Sequence, residues 1–292
     1  MDSSRIALVV DSCTDVPPED IERFGMYVVP LQVNYRDETF LDKVTITPQQ
    51  VYDRFAEEVP TTSTPTPAVA REVLERVVAD GYSQAVVVTI SSGLSATYDL
   101  MRSVASGVAG LECAIVDTRN IGMGAGLVAL AVARMLADGA SLDDVRRESE
   151  RIVRDTKVFF CVDTLEYLHK GGRIGNAAAL LGNLIQLSPV LTVSDGKATT
   201  LAKVRTRKKA LEKILATFKD DVEKHGLKNV VVHYIGDKTP AVAWAHEVVE
   251  PLLGRTVPVL PVSPVIGLHV GPAVGIAYEC ASALAGKLTA PV

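Results

Sequence analysis

The chain has 292 residues, of which 48% are hydrophobic and only 5% aromatic, and its formal net charge is −5. This length suffices for one large domain or two ordinary ones, and the aliphatic content excludes a disordered chain. The acidic balance argues against a surface made for nucleic acid or for anionic membranes.

Targeting, membrane-spanning and metal-binding features are all weak in this sequence. Asp2 and Arg5 interrupt the amino terminus, and the apolar run of residues 6–10 is too short for a secretory signal. Two long uncharged stretches, residues 174–194 and 257–278, contain prolines or amides that do not suit a membrane span. The four cysteines are dispersed, which predicts neither a metal site nor a disulfide framework. We therefore expect a cytoplasmic protein without a bound metal.

Strands and helices alternate in the first half. Continuous aliphatic runs, typical of strands in parallel sheets, predict strands at residues 6–10, 28–33, 85–90 and 113–116. Helices are predicted at residues 48–58, 67–80, 94–106, 124–138 and 141–155. Thr47 and Gln50 form a capping-box pattern at the start of the first of these helices. The pattern indicates an α/β arrangement with helices on both faces of the sheet.

The second half is less regular. Its predicted strands are residues 158–162, 190–193, 230–234, 257–262 and 274–278, and its predicted helices are residues 177–187, 208–224 and 240–252. Residues 194–197, with an Asp-Gly pair, predict a hairpin turn. We place a domain boundary within residues 151–157, giving domains of residues 1–154 and 155–292. The predicted fold is two α/β domains, the first with a mainly parallel sheet flanked by helices and the second with a mixed sheet.

Three hydroxyl-rich segments follow strands or precede helices in the first half. They are residues 11–15, residues 61–65 and residues 91–95. Ligands of α/β sheets collect at the carboxyl ends of strands, where helix N-termini offer unpaired N–H groups to an anion. Serine and threonine are also the ordinary N-cap residues, which explains any single segment equally well. The three segments together keep a carboxylate or phosphate site open beside the capping interpretation.

Other motifs give weaker indications. The glycines of residues 122–126 lack the lysine of a phosphate loop, so close strand–helix packing explains them better. Asp117 follows a strand and suits a capping or turn role better than a catalytic one. His269 is either a core histidine or, because glycines flank it, a site residue approached closely by backbone. A hydrolase based on Ser92 and His269 is conceivable, although the G-x-S-x-G motif is absent.

Residues 163–174 contain a short predicted helix that ends at Gly171 and Gly172, with Arg173 just beyond. A guanidinium held at such a turn suits recognition of phosphate or carboxylate. The simpler interpretation is a helix end whose cations complement the helix dipole.

Taken in order, these segments resemble the DegV family of bacterial fatty-acid-binding proteins. The matching segments are D-S-C-T-D at 11–15, V-P-L at 29–31, T-S-T-P at 62–65, I-S-S-G-L-S at 90–95, G-M-G at 122–124, D-T-L-E-Y-L-H-K-G-G-R-I at 163–174, D-G at 195–196, K-V-R at 203–205 and H-V-G-P at 269–272.

The resemblance implies a non-enzymatic lipid carrier with a long-chain fatty acid, of the palmitate or oleate class, buried in a tunnel between two α/β domains. It implies that Thr62 and either Ser91 or Ser92 hold the carboxylate, with His269 close by. Arg173 is implied to support a partner, an ATP-dependent fatty acid kinase that converts the bound acid into an acyl phosphate for phospholipid synthesis. No cofactor, no catalytic residue and only transient membrane contact are implied.

The chain departs from the family pattern at three positions. Thr64 stands where glutamine is common, Ala96 where glycine is common, and Cys13 where serine or alanine is common. None of these removes an implied donor, but the first two flank the head-group segments, so the acyl preference stays open. The alternative function is a small-molecule hydrolase or transferase that uses the same Ser, Thr and His segments.

Overall fold

A computed structural model of the protein describes residues 5–54, 57–183 and 187–281. Parts of four predicted segments lie outside them. They are residues 1–4 of the first domain, residues 55–56 of the first predicted helix, residues 184–186 of the helix at 177–187, and residues 282–292 of the second domain. The chain forms two compact units. Unit 1 contains the chain up to Val153 together with Ser263–Val265, and unit 2 contains Arg154–Val262 and the chain from Ile266 onward.

Unit 1 has a parallel four-stranded sheet and a small antiparallel sheet. Its strands are β1 (Ile6–Asp11), β2 (Tyr27–Val29), β3 (Gln32–Asn34), β4 (Thr39–Leu41), β5 (Thr61–Ser63), β6 (Gln84–Thr89) and β7 (Glu112–Asp117). Its helices are α1 (Pro18–Phe24), α2 (Pro48–Asp53), α3 (Pro67–Ala79), α4 (Thr97–Ala105), α5 (Met123–Ala137) and α6 (Leu142–Asp155). The strand orders are β2-β1-β6-β7 in the parallel sheet and β4-β3-β5 in the small one.

The parallel sheet is buried because its strands are apolar on both sides. Val9 and Val87 pack with Leu74 of α3 and Met101 of α4 in one cluster. Helix α5 contacts β1 and β6 and is buried throughout residues 123–133, as its nearly continuous apolar sequence predicts. These contacts fix the carboxyl ends of β1 and β6, where the hydroxyl-rich segments of residues 11–15 and 91–95 begin.

One predicted strand of unit 1 is wrong. Residues 28–33 were expected to form a single strand, but β2 ends at Val29 and β3 begins at Gln32, in a different sheet. Pro30 lies between them, and a proline cannot donate to the ladder, so the chain turns there. The small sheet, including β5 with its three hydroxyl residues, was not predicted.

Unit 2 is built around a mixed six-stranded sheet. Its strands are β8 (Thr156–Val162), β9 (Val190–Ser194), β10 (Lys197–Ala202), β11 (Leu227–Ile235), β12 (Val259–Pro261) and β13 (Ala273–Cys280). Its helices are α7 (Glu166–Lys170), α8 (Arg207–His225), α9 (Thr239–Trp244), α10 (Glu250–Leu253) and α11 (Pro264–Val270), the last of which begins in the unit 1 segment. The strand order is β10-β9-β8-β13-β11-β12, and only the β11–β12 pair is parallel.

The core of unit 2 lies between this sheet and helices α8 and α9. Phe159 and Tyr278 from the sheet pack with Ile214, Phe218 and Trp244 from the helices. The hairpin predicted at residues 194–197 joins β9 to β10. Its two central residues have positive φ angles, 48° and 75°, as a tight Asp-Gly turn requires.

The fold class is confirmed: both units are α/β, with a parallel sheet in one and a mixed sheet in the other. Within the described ranges, no helix is both long enough and apolar enough to cross a membrane. Helix α11, which carries His269, was not predicted. Its sequence combines Gly267 with β-branched residues and so gives little helical signal.

Candidate functional site

Ser91 and Ser92 follow β6 directly, but their surroundings differ. Ser91 is fully buried, its amide donates to the carbonyl of Asn120 (2.8 Å), and its Oγ accepts from the amide of Gly93 (3.1 Å). Ser92 is exposed, and both its amide and its hydroxyl donate to the carboxylate of Asp117, at 3.1 and 2.5 Å. Asp117 therefore has the turn-stabilising role that the sequence favours, because its carboxylate accepts hydrogen bonds from both the amide and the hydroxyl of Ser92.

Thr62 occupies the middle of β5, where it lies opposite Val33 of β3. Val33 is fully buried and Thr62 is half-buried, whereas Thr61 and Ser63 are exposed. Successive residues of a strand point to opposite faces, so Thr62 shares the inner face of the small sheet with Val33. Ser63, on the other face, donates to the side chain of Gln32 (2.8 Å). Strand alternation thus singles out Thr62 among the three hydroxyls of this segment.

A network of charged and hydroxyl side chains, all buried except the exposed Lys43, lies beyond the end of β1. The hydroxyls of Ser12 (2.6 Å) and Ser263 (2.8 Å) both donate to Asp42 Oδ2. Lys43 Nζ donates to Asp15 and to the carbonyl of Ser12 (2.9 Å). The amide of Ser263 donates to Asp15 Oδ1 (3.0 Å). These contacts attach residues 263–265 to the rest of unit 1.

Burial dominates the electrostatics of this network. It raises the pKa of Asp42 to about 6, against the lowering effect of Lys43, and it raises the pKa of Asp11 to about 7. Burial alone would lower the pKa of Lys43, but Asp15 and Asp42 raise it overall. The lysine therefore serves as the counter-ion of the cluster. The sequence pattern indicates residues 11–15 as a candidate site but gives no signal for Asp42, Lys43 or Ser263.

The glycines that follow β7 serve close packing, as the sequence suggested. A Cβ at Gly124 would lie 2.3 Å from Asn120 Oδ1, and one at Gly126 would lie 2.4 Å from the carbonyl oxygen of Thr14. No side chain fits at these distances, so both positions require glycine.

In unit 2, His269 lies in the last turn of α11 and is half-buried. Desolvation and the nearby charge of Arg173 together lower its pKa to about 4, so the imidazole is neutral at pH 7. Its Nδ1 lies against Gly171, where a Cβ would be only 2.2 Å away. The glycines that flank His269 in the sequence indicate a close backbone approach, but they do not identify Gly171 as the residue that makes it.

Arg173 is exposed, and its Nη1 donates to the carbonyl of Gly171 (2.7 Å). Of the two preceding glycines only Gly172 has a left-handed backbone, with a φ of 69°, whereas Gly171 stays in the helical region at −76°. The helix thus ends at the two glycines, as predicted, and Gly171 in addition makes the close contact with His269.

The implied site residues are divided between the units. Thr62, Ser91 and Ser92 belong to unit 1, and Arg173 and His269 belong to unit 2. No cluster of metal-binding side chains occurs in the part of the chain that the structure describes. Unit 1 has neutral hydroxyls and amides that can hold an anion. Unit 2 has a neutral imidazole and an exposed guanidinium, and the latter suits a phosphate or carboxylate.

These features define a class of α/β protein with one parallel and one mixed sheet and with hydroxyl-bearing turns at the strand ends. The family model described as "Uncharacterised protein, DegV family" matches residues 5–280. A DegV domain-containing protein of Clostridium acetobutylicum is 33% identical over 273 residues, which cover 92% of this chain and 96% of that protein. The chain belongs to the DegV family.

Solved structures agree with this assignment. A DegV family protein from Thermus thermophilus, described by its fatty acid binding, has 34% sequence identity and a TM-score of 0.84, covering 94% of this chain and 99% of that one. DegV of Bacillus subtilis, described as a fatty acid binding protein, has 28% identity and a TM-score of 0.87 with the same coverage. A stearic acid-binding protein from Eubacterium ventriosum has 25% identity and a TM-score of 0.86, covering 94% of this chain and 98% of that one.

Proposed function

We propose that this protein binds a long-chain fatty acid and presents its carboxylate to a partner ATP-dependent kinase in the cytoplasm. The observation that carries the proposal is the full-length similarity to solved DegV proteins described as fatty acid binding. The protein itself is then a carrier without a cofactor. Its partners are the fatty acid and the kinase, with only transient contact to membranes.

Thr62, Ser91 and His269 are the proposed carboxylate ligands. Ser91 is preferred over Ser92 because the Ser92 hydroxyl donates to Asp117, whose carboxylate would repel a second one. Each hydrogen bond to a charged acceptor is worth roughly 1.5–3 kcal/mol in a dry site. All three donors are neutral at pH 7. Thr62 and Ser91 donate through hydroxyls, and the pKa of His269 is lowered to about 4. A carboxylate held without a cation keeps its nucleophilicity, while the buried tail contributes about 0.8 kcal/mol per methylene.

Arg173 is proposed to act in phosphoryl transfer. An oxygen of the fatty-acid carboxylate attacks the γ-phosphorus of the kinase's ATP, the bond to the β-phosphate oxygen breaks, and ADP leaves with the electron pair. The transferred group carries negative charge, which a bidentate guanidinium can stabilise. The exposure of Arg173 and its bond to Gly171 leave it accessible to a partner.

Fatty acid binding is tested by native mass spectrometry of the purified protein, followed by oleate titration of variants. We expect Ser91→Ala and Thr62→Ala each to weaken oleate binding by about tenfold or more, the equivalent of one charge-assisted hydrogen bond. Ser92→Ala should weaken it less, and Ser106→Ala, which removes an exposed hydroxyl, is the matched control. Unchanged affinity in a Thr62→Ala/Ser91→Ala double variant would contradict the site.

The kinase role is tested with Arg173→Gln. This variant should bind oleate normally but be converted to acyl phosphate more slowly by the cognate kinase. Arg255→Gln, at another exposed arginine of unit 2, is the control. The alternative hydrolase or transferase predicts turnover of small esters or phosphates by the protein alone, and such turnover, lost in Ser91→Ala or Ser92→Ala, would replace the carrier proposal.

A further inference from the structure

Two reciprocal contacts between a glycine and a ring connect α7 to the end of α11. The imidazole of His269 lies against Gly171, where a Cβ would be 2.2 Å from Nδ1. The ring of Tyr167 lies against Gly271, where a Cβ would be 2.4 Å from Cδ2. Tyr167 and Gly171 are one helical turn apart and are joined by a 2.8 Å backbone hydrogen bond. We call this pair of contacts the glycine–ring interlock.

The two glycines are required for different reasons. Gly271 has a φ of +74°, so its backbone conformation alone favours glycine. Gly171 has φ −76° and ψ −7°, a helical conformation that alanine adopts without strain. The atoms nearest to an added Cβ at position 171 belong to the ring of His269 and to the carbonyl of Tyr167, the latter 3.0 Å away. Gly171→Ala therefore probes the contact with the imidazole rather than the backbone.

The interlock also connects Arg173 to His269. Arg173 donates to the carbonyl of Gly171, the residue on which the imidazole rests. The guanidinium and the imidazole thus both contact Gly171. The charge of Arg173 reaches the ring as well, since it contributes to the lowered pKa of His269.

We propose that Tyr167 and Gly171 are positioning residues, which hold the imidazole of His269 and the guanidinium of Arg173 in one rigid arrangement. A partner that binds Arg173 through a phosphate would then also shift the position of the His269 ring, because both side chains contact Gly171. This consequence rests on the proposed function, in which His269 contacts the carboxylate and Arg173 serves the kinase. The interlock itself is tested without ligand.

The first test is a double-mutant cycle in thermal stability. Gly171→Ala should lower the melting temperature by several degrees in the native chain, because the added methyl displaces the imidazole. In a His269→Ala background the same substitution should cost little, because the ring is gone. An equal loss in both backgrounds would overturn the contact.

The second test follows the His269 ring by NMR in histidine-labelled protein, with His269→Ala used to assign its signals. Gly171→Ala and Tyr167→Ala should shift these signals and raise the His269 pKa, because both open the packing to water. Tyr167→Phe, which keeps the ring, should preserve the native values. Ring signals that are unchanged in Gly171→Ala and Tyr167→Ala would contradict the positioning role.

The third test separates the interlock from the proposed function. If the native protein binds oleate, Gly171→Ala and Tyr167→Ala should weaken binding to the extent that His269→Ala does, and Tyr167→Phe should not. Arg173→Gln should raise the His269 pKa, whereas Arg255→Gln should not, and no difference between them would refute the coupling. A native protein that binds no fatty acid would contradict the proposed function, while the stability cycle and the NMR titration would still decide the interlock.

Discussion

Ser263→Ala is expected to destabilise unit 1 strongly for a single hydroxyl deletion. The Ser263 hydroxyl donates to the buried Asp42 carboxylate at 2.8 Å and accepts from the amide of Val265 at 3.1 Å. A hydrogen bond to a charged group is worth about 1.5–3 kcal/mol and an ordinary one about 0.5–1.5 kcal/mol. The variant should therefore lose about 2–4 kcal/mol. Asp42 would keep only Ser12 as a hydroxyl donor.

The assay is differential scanning calorimetry at pH 7.5, which resolves the units if they melt separately. At roughly 2–4 °C per kcal/mol for a domain of 150–250 residues, the transition of unit 1 should fall by roughly 4–16 °C. Ser106→Ala is the matched control, because its exposed hydroxyl donates only to the carbonyl of Ser103 at the end of α4. That control should lie within about 0.5 kcal/mol of the native protein.

The effect should depend on pH. The pKa of Asp42 in the fold is about 6, above its ordinary value of 3.8, so the folded state holds a proton that the unfolded state releases between these values. The protonation of Asp42 therefore contributes up to about 3 kcal/mol to the unfolding free energy at low pH, and the native protein loses this contribution as pH rises from about 4 to about 6. Below pH 5 the Ser263–Asp42 bond joins neutral groups, so Ser263→Ala should cost less there. A melting temperature within 1 °C of native at pH 7.5 would refute the reasoning.

Three further substitutions test the packing and electrostatics. Gly275→Ala should prevent stable folding of unit 2, because a Cβ there would lie 2.4 Å from both the carbonyl oxygen of Phe159 and Nε2 of His233; a native-like melting curve would contradict this. Burial lowers the pKa of His233 to about 4. The unfolding free energy should therefore fall by up to about 3 kcal/mol as pH drops from 6.5 to 4. His233→Gln should flatten this pH dependence in urea titrations. Thr47→Ala should cost about 1 kcal/mol by removing the capping box with Gln50, and Gln50→Ala should cost a comparable amount in the same titrations.

The elements that sequence predicted best are those whose signal is local. The apolar runs of β1, β6 and β7 and the capping box at Thr47 depend on neighbouring residues, and the structure confirms them. The split between β2 and β3 is also local, since Pro30 marks it, but the apolar residues on either side concealed the break. Sequence periodicity reports burial and does not say which sheet a strand joins.

The buried network and the interlock could not be predicted because their partners are far apart in the chain. Ser263 and Asp15 are 248 positions apart, and nothing around either residue indicates the other. For His269 the flanking glycines indicate a close backbone approach, but they do not identify Gly171 as the residue that the ring contacts. The choice between Ser91 and Ser92 likewise required the position of Asp117.

The division of the chain has a consequence for attempts to dissect the protein. Residues 263–265 are counted with unit 1, although more than one hundred residues of unit 2 precede them. A fragment cut near residue 154 would therefore leave Asp15 without the amide, and Asp42 without the hydroxyl, of Ser263. The other fragment would expose those donors to water. Neither fragment then keeps the contacts that it has in the intact chain, so co-expression of the two fragments would test each unit more fairly than truncation.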